Sequence, residues 1–289
     1  MTTIAPTVAR RMWSLFEPVH AVVYFTDEAR AAAAQVGFRG FWMGYFGFRM
    51  APVGAVGPDV AVSACFGFHP SRARRALPDA WEFASPEQAL HARLSGSSAA
   101  LARLTAGIDG ISAAVEEAAE LAWAAAAGAD SAGRVLGGAN QGLPRPPDAF
   151  GALWQATTTL REHRGDGHSS VLIASGLGPM DAHWLKLAAG ESDAETLRVS
   201  RNFDDADWDA ALARLAEVGW VDEGGRLTEV GHATHAKVEE LTDNAALAPW
   251  ARLGAEQTER LAVLLRPIVD AVISSGTLVY PNPIGVPLP

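Results

Sequence analysis

Residues 204–231 read DDADWDAALARLAEVGWVDEGGRLTEVG, and the fold is decided by how this stretch is read. Trp208, Leu212 and Leu215 recur at i, i+4 and i+7, which puts them on one face of a helix. Asp204 or Asp205 supplies the N-cap and Gly219 the C-terminal stop. Residues 220–227 then read as two short strands about a Gly224-Gly225 turn, a β-hairpin. Thr228 caps a long helix running to Leu241. Working outward, residues 181–189 and 194–200 read as two short helices, and residues 255–274 as a further long one. Helix, helix, helix, hairpin wing, long helix is the order of a winged helix-turn-helix.

The spacing Leu212-x2-Leu215-x3-Gly219-Trp220-Val221-Asp222, followed by Arg226-Leu227-Thr228-x2-Gly231, resembles the MarR-type winged-helix regulators, whose wing precedes an LTxxG turn. The resemblance covers residues 180–245, and the whole chain resembles an actinobacterial family of helix-turn-helix proteins. It implies a MarR-like homodimer collapsed into one polypeptide. By analogy with MarR-type dimers, which bind aromatic anions between reader domain and dimer helices, it also implies a ligand site between the halves.

An internal repeat points the same way. Trp13, Trp42, Phe68, Trp81, Gly133 and Asn140 have counterparts in Trp154, Trp184, Phe203, Trp220, Gly276 and Asn282, in the same order and 135 to 143 residues downstream. The expected fold is therefore mainly α: tandem winged-helix units forming a single-chain pseudo-dimer, with a small β-hairpin wing in the second copy. Residues 1–142 form a first, degenerate copy and residues 143–289 the second. In the first copy the stretch 58–81 is interrupted by Pro70 and Pro78, and Glu82-Phe83-Ala84-Ser85-Pro86 offers no hairpin turn, so its wing is expected to be lost.

Composition narrows the function. Apolar residues make up 49% and charged residues 19%, a globular balance rich in alanine. Cys65 is the lone cysteine, which excludes an intramolecular disulfide and a multi-thiolate metal site. No leader and no long uncharged apolar run is read, so a cytoplasmic, membrane-free monomer acting as a pseudo-dimer is expected. The net charge of −10 lies entirely in the second half: residues 1–145 hold 12 basic and 12 acidic side chains, the remainder 11 and 21. Asp204, Asp205, Asp207 and Asp209 open the reading helix of the second copy, while Arg72, Arg74 and Arg75 lie in the broken stretch of the first. On this electrostatic ground the sequence disfavours nucleic acid as a partner.

Chemistry is sought where the copies differ most. The opening helix of the first copy carries Glu17, His20 and Tyr24 on one face. Its counterpart reads Arg161-Glu162-His163-Arg164-Gly165-Asp166-Gly167-His168, and two glycines within three residues would weaken a helix. Should these helices meet at a pseudo-two-fold axis, Glu17, His20, His163 and His168 would be the catalytic candidates, with Arg161, Arg164 and Asp166 binding ligand. Trp42, Tyr45, Phe46 and Arg49, in a run punctuated by Gly40, Gly44 and Gly47, would wall a pocket together with Tyr24. A buried ion-pair network, an acid–base or anion site, and a metal or haem site all suit this set, and cofactor, metal and reaction stay open. His91, His183, His232 and His235 read as exposed helix positions. The leading expectation is a protein that binds a small molecule, aromatic or anionic, or an enzyme acting on it. The alternative is a winged helix-turn-helix transcriptional regulator, and a third possibility is an adaptor using the apolar tail 280–287.

Overall fold

Side-chain caps at Thr26, Ser85, Asp148, Asp193, Asp204 and Thr228 each begin a helix. The computed structural model describes residues 4–280, 282 and 284–286. Its first half runs α1 (Pro6–Phe25), α2 (Asp27–Gln35), α3 (Gly40–Met50), α4 (Pro58–Ala64), α5 (Pro70–Arg74), α6 (Ala80–Phe83), α7 (Pro86–Leu104), α8 (Ile111–Ala127) and α9 (Val135–Gln141). The second half runs α10 (Ala149–Ala174), α11 (Pro179–Ala188), α12 (Ala194–Arg201), α13 (Asp205–Glu217), α14 (Glu229–Ala245), α15 (Ala248–Leu253) and α16 (Ala255–Ser274). Asp148 accepts from Gly151 N at 2.7 Å to start α10, and Thr228 accepts from Gly231 N at 3.1 Å to start α14. Asp204 and Asp207 cap α13 reciprocally, which satisfies donors that the first turn leaves orphaned. Among the described residues no helix is long and apolar enough to cross a membrane.

The long helices form one body. α1 packs on α10, α14 and α16, while α10 packs on α7, α8 and α14, and α8 meets α16. A single apolar core runs through them, from Met12, Phe16 and Val19 of α1 through Leu101, Val115 and Trp154 to Leu265 and Ile268 of α16. Two smaller clusters hold the unit α11–α14: Leu172, Leu185, Leu215, Val221 and Val238 in one, Met180, Leu197, Trp208 and Ala211 in the other.

Several expectations need correction. The wing is not a two-stranded hairpin; among the described residues it holds only one antiparallel bridge, Val221 to Leu227. Trp220 O already accepts Thr228 N at 3.1 Å, and the Asp222 carboxylate accepts Gly224 N and Arg226 N at 2.9 and 3.0 Å. Chain arms this short, bracketed by a helix end and a helix cap, leave room for one bridge. The stretch 58–81 is three short helices, α4 to α6, and Ser85 leads straight into α7 through a capping box with Gln88.

Gly165 and Gly167, expected to weaken the helix, lie inside an unbroken α10. A Cβ at Gly167 would stand 2.5 Å from the Arg134 guanidinium, which donates to His163 O at 2.7 Å and Ala245 O at 2.6 Å. That close approach is what the missing side chain permits. His183 is buried rather than exposed, and His235 is half-buried. Only part of the tail is open: Tyr280 is exposed, but Asn282 and Val286 are buried, and Val286 N donates to Asn282 Oδ1 at 2.8 Å. Residues 281, 283 and 287 of that tail lie outside the described ones.

A Cβ at Gly231 would fall 1.9 Å from the Trp220 carbonyl oxygen, so the wing turn can close on α14 only over a glycine. Gly231→Ala is expected to lower unfolding stability by about 1–3 kcal/mol, as overpacking does. A urea denaturation curve superposing on wild type would refute this.

Candidate functional site

The helix α10 distributes the candidate residues over three faces. On the first, which meets α1 and α3, stands a carboxylate that residue patterning does not single out. Glu162, 2% exposed, accepts from Arg49 Nε and Nη2, each at 3.0 Å, and from Arg161 Nη1 at 2.9 Å. Burial alone would raise its carboxyl, yet Arg161 and Arg49 bring it down to about 2. Arg161 Nε also reaches Glu17 Oε1 at 3.4 Å, and Trp13 Nε1 donates to the other Glu17 oxygen at 3.1 Å. Burial wins at Glu17: with the neighbouring charge of Glu162 it outweighs Arg161 and Trp13 and holds the carboxyl above the ordinary range. Arg49 completes the chain by donating to Tyr45 OH at 2.8 Å.

His20 lies beside this network in a fixed tautomer. The Thr158 hydroxyl gives its one proton to Trp154 O at 2.8 Å, so His20 Nδ1, 2.9 Å from Thr158 Oγ1, must donate. His20 Nε2, 3.2 Å from Tyr24 OH, then accepts. Burial, and after it the charge of Arg161, hold this imidazole neutral.

The second face of α10 meets α9 and the loop before it. His163 Nε2 lies 2.9 Å from Asp130 Oδ1, and Asp166 Oδ2 accepts Gly137 N at 2.8 Å. A Cβ at Gly137 would approach His163 Cα to 2.9 Å, so that glycine lets the two helices touch. Burial raises Asp166 to about 6. The structure thus keeps His163 and Asp166 apart from Glu17 and His20.

The third face opens on a cavity of about 760 Å³ between α1, α10, α11, α14 and the tail. Of the candidates, Glu17, Arg161, Arg164 and His168 line it, joined by residues not singled out from sequence, among them Arg10, Lys186, Glu191 and His235. Arg164 Nη2 lies 2.8 Å from Asp243 Oδ1, and Arg10 Nε donates to Asp243 Oδ2 at 2.8 Å. His168 Nδ1 pairs with Thr242 Oγ1 at 2.9 Å, and burial takes it to about 4. His235 Nε2 stands 3.3 Å from Glu191 Oε1, and that carboxylate raises it. A second cavity, about 230 Å³, is lined by Tyr24, Tyr45 and apolar residues of α2 and α3. His20, Trp42, Phe46, Arg49, His163 and Asp166 line neither. Trp42 instead stacks under the Arg72 guanidinium at 4.4 Å, and Phe46 is fully buried. Among the described residues no three His, Cys, Asp or Glu side chains are grouped to hold a metal ion.

The turn between α12 and α13 is docked on the first half. Asn202, at φ +66°, donates from Nδ2 to Ser71 Oγ at 2.7 Å; His69 N donates to Arg201 O at 3.1 Å; Arg72 Nη2 donates to Val199 O at 2.6 Å. His183 Nε2, 2.8 Å from Gly67 O, adds a contact that explains its burial. These bonds set α5, with exposed Arg74 and Arg75 at its end, against the C-terminal end of α12.

A model of a helix-turn-helix family matches residues 9–279. No curated protein and no solved structure matches the chain. The family match overturns the expectation that nucleic acid is not a partner. The physical reason is that charge counted along single segments leaves out the capping and pairing that folding brings. Asp204 and Asp207 are taken up in capping α13, Asp205 pairs with Arg198, and folding brings α5, whose Arg74 also meets Asp59 at 3.2 Å, against the end of α12.

Two outcomes follow from the buried groups. Glu162→Ala leaves two buried guanidiniums facing each other and is expected to cost about 3–5 kcal/mol, against a smaller loss for Glu17→Gln; equal losses in urea titrations would contradict the assignment of Glu162 as the hub. His20, His163, His168 and His183 all lie below the ordinary 6.5 in the folded chain. Folded values depressed in this way make their stability contribution complete above about pH 6.5 and lost as pH falls toward 4. The urea midpoint is therefore expected to drop between pH 7 and 5, less so in His168→Asn; an unchanged midpoint in wild type would show the imidazoles are not buried neutral.

Proposed function

Since the chain belongs to this helix-turn-helix family, we propose that it is a DNA-binding regulator whose affinity for DNA is set by a small molecule. The reader is composite: α12 and α13 of the second half supply the helix-turn-helix, and Arg75 and Arg74, the latter exchanging its exposed partner Asp59, supply phosphate contacts from the end of α5. The observation that carries the reading is the position of the 760 Å³ cavity. Its walls are α11 and α14 of the reading unit on one side and α1 and α10 of the body on the other, so an occupant touches both and biases how they sit.

The finer architecture is read as a MarR-type unit occurring twice, residues 1–142 and 143–289, joined as a pseudo-dimer. The packing supports it. Under the exchange of α1 with α10, α7 with α14 and α8 with α16, the contact of α1 with α16 becomes that of α10 with α8, and α1 with α14 becomes α10 with α7. Helices α1 and α10, and α8 and α16, meet their own counterparts, as elements on a two-fold axis do.

The test is selection of duplexes from a random library by the purified full chain, followed by fluorescence anisotropy across a salt series. Arg74→Ala with Arg75→Ala is expected to reduce the slope of log K against log salt by about 2, one for each phosphate no longer neutralised. Failure of the wild-type chain to retain any duplex at low salt would sink the DNA reading.

A further inference from the structure

We propose that Lys186 is a covalent attachment site: its Nζ condenses with the carbonyl carbon of an aldehyde held in the 760 Å³ cavity. The proposal rests on that cavity being a ligand site, as read above, and adds the chemistry by which it holds its ligand.

Of the chain's 23 basic residues only two are lysines. Lys237 is exposed and pairs with Glu240 at 2.9 Å. Lys186, on α11, lines the cavity with the apolar Leu172, Leu177, Leu185 and Val238 and the charged Arg164, Glu191 and Glu239, and among the described residues it makes no ion pair. The tail crosses close over it: at Gly285, φ +71°, a Cβ would lie 2.2 Å from Nζ. An arginine here could never shed its proton, whereas an amine in apolar surroundings and near another cation can. Burial, followed by the charge of Arg201, outweighs the nearby carboxylates of Glu191, Glu239 and Glu17 and lowers this ammonium from its ordinary value, which enlarges the fraction carrying a free lone pair.

The step needs no further reactant. The Nζ lone pair adds to the carbonyl carbon, forming the C–N bond and a carbinolamine. Nitrogen then loses a proton, the hydroxyl gains one and leaves as water, and the imine remains. His235, paired with Glu191 on the same cavity wall, is the group suited to deliver that proton. The cavity wall offers Leu172, Leu177, Leu185 and Val238 to an aldehyde's ring.

The full wild-type chain, incubated with benzaldehyde and sodium cyanoborohydride and then digested, gives the test by mass spectrometry, with Lys237 as internal control. At limiting probe the benzyl adduct is expected on Lys186 at least about tenfold over Lys237, by the nucleophilicity argument. Benzoate, which cannot form an imine, is expected to compete at Lys186 and leave Lys237 unchanged. Labelling of Lys237 equal to or above that of Lys186, or no adduct at Lys186, overturns the proposal. If benzaldehyde without reductant raises the melting temperature but no adduct forms, the covalent step fails while the cavity stands as a ligand site.

Discussion

Glu162 is a carboxylate buried between two guanidiniums, and the arrangement of the two halves depends on it. Taking one carboxylate and two arginines out of water is costly unless each finds charge-assisted partners with good geometry. Here Arg49 grips Glu162 with two bonds of 3.0 Å, and Arg161 adds a third. Because Arg49 comes from α3 and Glu162 and Arg161 from α10, the bond set closes only when the halves meet in one register. Apolar packing between α1 and α10 tolerates sliding by a turn; a bidentate ion pair does not.

Arg161 ties this hub to the outside. It belongs both to the buried network and to the cavity lining, so an occupant of the cavity acts on the charge balance that sets the register. His168, Thr242 and Asp243 link the same cavity to α14, and α14 begins at the wing turn through Thr228 and Gly231. Cavity, hub and helix-turn-helix unit are thus joined by one continuous set of packed helices and polar contacts. The His20–Thr158–Tyr24 chain, by contrast, is a closed hydrogen-bond circuit in which His20 and Thr158 reach neither cavity. It behaves as structure, fixing α1 against α10.

Much of the helical pattern is legible in the chain itself. The cap at Thr228, the stop at Gly219 and the apolar face of Trp208, Leu212 and Leu215 are local signals, each carried by residues within a few positions of one another. The last helix, Ala255–Ser274, matches its reading to the residue. The wing does not, because residue types such as Gly224-Gly225 specify a turn but not how long the flanking pairing is; that length is decided by where Trp220 O and the Asp222 carboxylate find donors. Among the site residues, His163 and His168 lie on the same helix as Arg161, yet they face α9 and α14 and not the centre. Helical spacing orders side chains around an axis, and only the neighbours on each side say what each one meets.

The sequence by itself determined the caps and apolar faces of the helices around Trp208 and Thr228, the bounds of the last helix, and a helix-turn-helix fold, because these follow from propensities and periods within single segments. The tertiary structure alone decided which charges cancel, which histidines are neutral, which lysine lines a cavity, and that a basic helix of the first half docks on the end of α12 in the second. Burial and long-range pairing are properties of the packed chain, and electrostatic energy depends on distances that no local reading contains.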